Sequence, residues 1–205
     1  MGNTTLNKAL EQFNQQNYVE AKDLLLSLSN NNATAQYYLG AIYRMGLGVR
    51  DDQKEAFSWF LKAAKQGHKE TQFLVGCAYI VFLTFMRRET ELVKVDYDRF
   101  EENFKNDLSI WQDDLPYYEF EGVGVEPSDS EGFKWIEASA KQGYIDAQVA
   151  LGDLYDWGIG VKEDKYEMRT WYEKAALQRS ATAYRNLSLH SYIYDEDFPK
   201  TIELL

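Results

Sequence analysis

The chain has 205 residues, 45% of them hydrophobic and 27% charged, with only 3 prolines, a composition that suits a packed globular or repeat protein and excludes a disordered tail. Its 22 basic against 33 acidic residues leave a formal charge of -11, so gripping nucleic acid or anionic lipid would mean working against the protein's own field. A single cysteine, Cys77, and two distant histidines, His68 and His190, leave little from which to build a thiol nucleophile, a zinc site or a base poised near neutral pH, and no cofactor or metal is expected.

The start, MGNTTLNKALEQFNQQ, lacks the basic head and apolar run of a secretory signal, so the expected location is cytoplasmic. It opens a helical hairpin in which Ala9, Leu10 and Phe13 face Tyr18, Ala21, Leu24, Leu25 and Leu28, with residues 15–17 as the turn. Next comes AQYYLGAIYRMGLGVRDDQKEAFSWFLKAAKQG, beginning at Ala35. Leu39, Ile42 and Tyr43 recur at helical spacing, and the small Gly40 and Ala41 admit a close neighbour. Gly46 and Gly48 end that helix, and Asp51 or Asp52 offers a carboxylate to the free N–H groups opening a second one. The second helix carries an apolar stripe of Ala56, Trp59, Phe60, Ala63 and Ala64.

A split copy follows. TQFLVGCAY from Thr71 repeats the first half at a step of 36 residues, but the glycine loop returns only at Gly122, a step of 76 from Gly46. Residues 73–86 are uncharged, too short for the roughly 20 needed to span a bilayer, and read as a buried helix, so membrane insertion is not expected. Within the insertion, placed at about 82–118, Tyr97, Phe100, Phe104, Leu108 and Trp111 recur at spacings of three and four, which predicts an amphipathic helix seated on that apolar stretch. Residues 87–131 hold 14 acidic against 5 basic residues, a local net of -9. Glu101, Glu102, Asp113 and Asp114 belong to this run, which is either a solvated face or a docking surface for a basic partner.

A third copy, AQVALGDLYDWGIGVKEDKYEMRTWYEKAALQR, begins at Ala147 and returns Leu39, Gly40, Tyr43, Gly46, Gly48, Val49, Asp52, Trp59, Lys62, Ala63, Ala64 and Gln66 as Leu151, Gly152, Tyr155, Gly158, Gly160, Val161, Asp164, Trp171, Lys174, Ala175, Ala176 and Gln178. From Ala183, Leu187 and Tyr192 another first helix starts, and DEDFPKTIELL does not complete its partner. The three tryptophans Trp59, Trp135 and Trp171 share one position in the copies and are expected in the core, whereas Trp157 stands apart at the loop end of a first helix.

The pattern A-x3-LG-x2-Y-x2-G-x-GV, an acidic residue, then A-x2-W-[YF]-x-KAA-x-QG resembles the Sel-one-like repeats, relatives of the tetratricopeptide repeats. Departures are Gly132 and Met168 in place of Ala56, and Arg179 in place of a glycine. The resemblance implies an all-α, right-handed α-solenoid with a helical insertion in its second repeat. Its units would be a tetratricopeptide-like cap at 1–32, repeats at 33–68, 69–144 and 145–180, and an incomplete capping repeat at 181–205. In such solenoids the first helices line a concave groove, which implies Tyr37, Tyr38, Arg44, Asp146, Val149, Asp153, Asp156 and Trp157 as residues that bind a protein partner. The family's adaptors, regulators and immunity proteins suggest a non-catalytic protein that clasps a toxin or effector with a basic surface; a signalling, stress or secretion adaptor is the alternative.

Sites of other kinds are read as structure. Gly46 and Gly48 do not follow a strand, as a phosphate-binding loop would, and the loop recurs in every copy. Cys77 lies in the most apolar helix as a buried thiol, and His68 follows a hairpin end as a turn residue. Asp113 and Asp114, with Glu119 and Glu121, could form a hydrolytic carboxylate pair, the most distant reading, since nothing in the sequence sets their mutual geometry.

Overall fold

The computed structural model describes residues 2–80 and 125–194. These residues form an all-α solenoid of helical hairpins: α1 (Gly2–Asn14), α2 (Tyr18–Leu28), α3 (Ala33–Met45), α4 (Gln53–Lys65), α5 (Lys69–Tyr79), α6 (Asp129–Lys141), α7 (Ile145–Trp157), α8 (Lys165–Leu177) and α9 (Ala181–Tyr194). Each helix packs on the next in chain order, with α5 against α6 as closely as α3 against α4. The helix expected within the insertion, and with it Glu101, Glu102, Asp113 and Asp114, lies outside the described residues.

The same local chemistry ends and restarts the helices in each repeat. Gly46 and Gly158 close α3 and α7 in the left-handed region, at φ 65° and 64°, where a Cβ would be strained. Asp52, not Asp51, caps α4 by accepting from the backbone N–H of Lys54 and Glu55 at 3.0 Å each. Asp164 does the same for α8 and Ser128 for α6. Ahead of those caps, the backbone N–H of Asp52, Ser128 and Asp164 donates to the carbonyls of Tyr43, Tyr79 and Tyr155, at 2.9, 2.8 and 3.0 Å. Because the Ser128–Tyr79 bond has the geometry of the other two, the hairpin α5–α6 closes like its neighbours although residues 81–124 intervene.

Contact between the two helices of a hairpin depends on one glycine. A Cβ on Gly40 would strike the ring of Phe60, and one on Gly152 would lie 2.5 Å from the ring of Tyr172. In the second repeat both helices carry a glycine: a Cβ on Gly76 would meet Ile136 Cγ1 at 2.5 Å, and one on Gly132 would meet the Gly76 carbonyl at 2.8 Å. The departure Gly132 thus lets α6 approach α5 backbone to backbone. Phe60, Ile136 and Tyr172 fill these crossings and are 1%, 0% and 3% exposed.

A glutamine latch then ties each hairpin to the one before. Gln36, Gln72 and Gln148 are buried near the starts of α3, α5 and α7 and donate to the carbonyls of Ser29, Ala64 and Ala140 at 2.6, 3.2 and 3.3 Å. Their own side-chain oxygens accept from Gln66, Gln142 and Gln178 at 2.7, 2.6 and 2.8 Å. A buried amide is tolerated here because both ends are bonded.

The tryptophans depart from expectation. Trp171 is buried, but Trp59 and Trp135 are only half-buried. They pack on the clusters of the α1–α3 and α4–α5 regions while part of the ring meets solvent. Lys62 and Lys174 lie over the Trp59 and Trp171 rings at 3.8 and 3.6 Å, a cation–π contact made at both the half-buried and the buried ring. The cluster that receives Trp135 includes Phe57 and Leu61 of α4. On α8 those two positions are Arg169 and Glu173, exposed and paired at 3.0 Å.

Candidate functional site

The starts of the first helices bring side chains of three successive repeats together. The Tyr37 ring on α3 stacks on His68, the residue before α5, with centroids 5.0 Å apart and planes 21° apart. The neighbouring Tyr38 meets Tyr37 edge-on at 5.2 Å and Phe13 of α1 at 4.9 Å, extending the aromatic strip to the N-terminal hairpin. One repeat further on, Tyr144, the residue before α7, packs on Phe73 of α5 at 5.5 Å. The pairs are equivalent, since Tyr37 and Phe73, like His68 and Tyr144, occupy the same two repeat positions.

Carboxylates border these rings. His68 Nδ1 lies 3.4 Å from Glu70, and Asp146 stands beside the Tyr144 hydroxyl. Burial raises the Tyr144 hydroxyl pKa, and Asp146, Glu70 and Tyr37 raise it further, so the phenol stays protonated as a donor. The Tyr37 hydroxyl is raised by burial, then by Tyr38 and Glu70, against a smaller opposing effect of Arg44. Burial lowers the His68 pKa, with Lys69 adding to it and Glu70 opposing, which leaves the imidazole neutral at pH 7.

The other residues proposed for the groove lie outside this aromatic strip. Arg44 is half-buried at the loop end of α3, seven residues or about 10 Å from Tyr37 along the helix. At the equivalent end of α7, Asp156 accepts from the Trp157 indole at 2.9 Å and from Lys165 at 2.7 Å, and Lys165 also donates to the Asp156 carbonyl at 2.9 Å. Val149 packs on Ala175, Ala176 and Ala183, under α8 and α9. Asp153 is enclosed: its carboxylate accepts from the Tyr172 hydroxyl at 2.5 Å and from Asn186 of α9 at 3.3 Å. Desolvation pushes its pKa up to about 7, Asp156 adds to the rise, and the Tyr172 bond and Arg185 oppose it. Val149 and Asp153 therefore hold the C-terminal helix in place, because α9 covers the side of α7 they occupy.

Sequence reasoning missed Glu70 and Tyr144 and gave His68 only a turn role. The available signal was at the positions that open the first helices. Asn32 and Ser180 cap α3 and α9 through their side chains, whereas His68 and Tyr144 make no such bond. Cys77 is buried, and desolvation raises its thiol pKa, so the fold holds it as an inert apolar group. Among the described residues, no helix is long and apolar enough to cross a membrane.

A Sel1 repeat model matches residues 33–68, 114–144 and 145–180, half of the chain, and the chain belongs to the Sel1 repeat family. It is 29% identical over 150 residues to the chitin synthase regulator SKT5 of Saccharomyces cerevisiae, a match covering 70% of this chain and 21% of that protein. With chitin synthase regulatory factor 1 of Schizosaccharomyces pombe it shares 25% identity over 164 residues, 77% of this chain and 34% of that one. The crystal structure of a Sel1 repeat protein from Oxalobacter formigenes superposes with a TM-score of 0.66 at 26% identity, covering 92% of this chain and 60% of that one. The chain thus spans between about a fifth and a third of the length of the two regulators.

Proposed function

We propose that the chain is a non-catalytic binding module that grips a protein partner along the starts of its first helices, α3, α5 and α7. The observation that carries this reading is the aromatic strip of Tyr37, Tyr38, His68 and Tyr144, which crosses three repeats with its tyrosines only partly buried against the hairpin cores. The acidic run at 87–131 would steer a partner with a basic surface, and Arg44, Asp156 and Trp157 would extend the contact toward the loop ends. The repeat units stay as divided above, with the insertion interrupting the second.

Within that reading we favour a regulatory adaptor over an immunity protein, because the relatives reported above are named as regulators of a fungal enzyme. A cytoplasmic location belongs to the same proposal. The test is affinity capture from the source cell with mass spectrometry, followed by kinetics on the recovered partner. Tyr37→Ala or Tyr144→Ala should raise the dissociation rate about thirtyfold or more, as expected of hot-spot residues. Arg169→Ala on the outer face of α8 should leave it unchanged. Loss of binding on altering α8 alone would overturn the assignment.

A further inference from the structure

Resting on that reading, we propose that the strip between α3 and α7 seats the guanidinium of an arginine in an extended segment of the partner, stacked on the tyrosine rings and held by Glu70 and Asp146.

The argument starts from where the two central repeats break the pattern of the flanking ones. At the position before the first helix, α3 and α9 have Asn32 and Ser180, whose side chains cap Ala35 and Ala183 at 2.9 and 3.2 Å. Before α5 and α7 stand His68 and Tyr144, which forgo the cap and lay a ring on the preceding first helix instead. Two positions further on, the flanking repeats have Thr34 and Thr182, and the central ones have Glu70 and Asp146. Omitting a helix cap costs on the order of 1 kcal/mol. Paired departures from a local rule at one place in the fold mark a site under a further demand.

The chemistry of the place selects the ligand. Around the Tyr144 hydroxyl stand the carboxylates Asp146 and Glu70 and the neutral phenol of Tyr37. The cations acting on the strip are Lys69, beside His68, and Arg44, which acts on Tyr37. A neutral His68 adds no positive charge. Phenol rings with carboxylates at their edges suit a planar guanidinium, which stacks on an aromatic face and still directs its N–H fork at carboxylate oxygens. An ammonium would satisfy the carboxylates without the stacking, so arginine should exceed lysine. Glu70 is partly exposed and Asp146 exposed, so both can reach an incoming group.

The experiment probes the full chain with an array of extended peptides carrying one arginine, and with matched peptides carrying citrulline, lysine or glutamine there. The expected result is at least tenfold weaker binding on replacing arginine by citrulline, and a smaller loss with lysine. In the double variant Glu70→Gln, Asp146→Asn that preference should fall to less than threefold. Binding without preference for arginine, or a preference that survives the double variant, overturns the inference while the groove reading stands. Absence of peptide binding, or binding that Tyr37→Ala does not weaken, overturns both.

Discussion

Asp153 provides the sharpest test of the energetics. Its repeat equivalents are Ala41 and Cys77, yet here a carboxylate is enclosed between α7, α8 and α9, with its pKa raised from 3.8 to about 7. The folded chain therefore keeps a proton at pH values where the unfolded chain has released it. Stability contributed by this group is fully present below about pH 4, falls as pH rises through the interval to about 7, and levels off above it. A shift of roughly 3 pH units sets a ceiling near 4 kcal/mol. Asp153 is half-buried as a residue, so solvent relaxes part of this, and the expected loss is about 2 kcal/mol. Asp153→Asn keeps an oxygen that can accept from Tyr172 and Asn186 and removes the charge. At pH 8 the variant should be more stable than the parent by about 2 kcal/mol, or roughly 4 to 8 °C in Tm for a chain of this size. At pH 4 the two should agree closely. Thermal melts followed by circular dichroism at both pH values give the result, and taking the difference between variant and parent cancels every other titrating group. A Tm difference that does not change with pH, or a variant less stable at pH 8, would refute the claim that the fold penalises this carboxylate's charge.

Three further outcomes follow from the packing. Gln72→Ala removes the donor to the Ala64 carbonyl and one of the two acceptors of the Gln142 amide, which keeps the Ala138 carbonyl, so urea unfolding should show a loss of about 1 to 2 kcal/mol, larger than for an exposed glutamine. Arg179 sits at φ 65° where two repeats have a glycine at φ 88° and 82°, so Arg179→Gly should raise stability by up to about 1 kcal/mol in a thermal melt; a lower Tm would place the cause outside the backbone. Trp171→Ala should cost about 3 to 5 kcal/mol in chemical denaturation and Trp59→Ala clearly less, in the order of their burial; equal losses would contradict the surface placement of Trp59.

The linear sequence determined everything governed by short range. The 36-residue step and the glycines that end α3 and α7 are read directly, and the cap of α4 is narrowed to Asp51 or Asp52, because helix starts, stops and faces depend on residues within one or two turns. The motif resumes on either side of the insertion, at Thr71 and Gly122 of the sequence, and the structure packs α5 against α6. What the sequence left open was which residues meet where one helix packs on another. That α5 closes on α6 through facing glycines, that Tyr37 meets His68, and that Asp153 is enclosed by Tyr172 and Asn186 all involve residues 19 to 56 positions apart. The same aspartate would be a groove residue or a buried one depending on whether another helix covers its side of α7. Only the packing of α9 decides that, since burial is a property of neighbours brought together by the fold rather than of the residue's own helix.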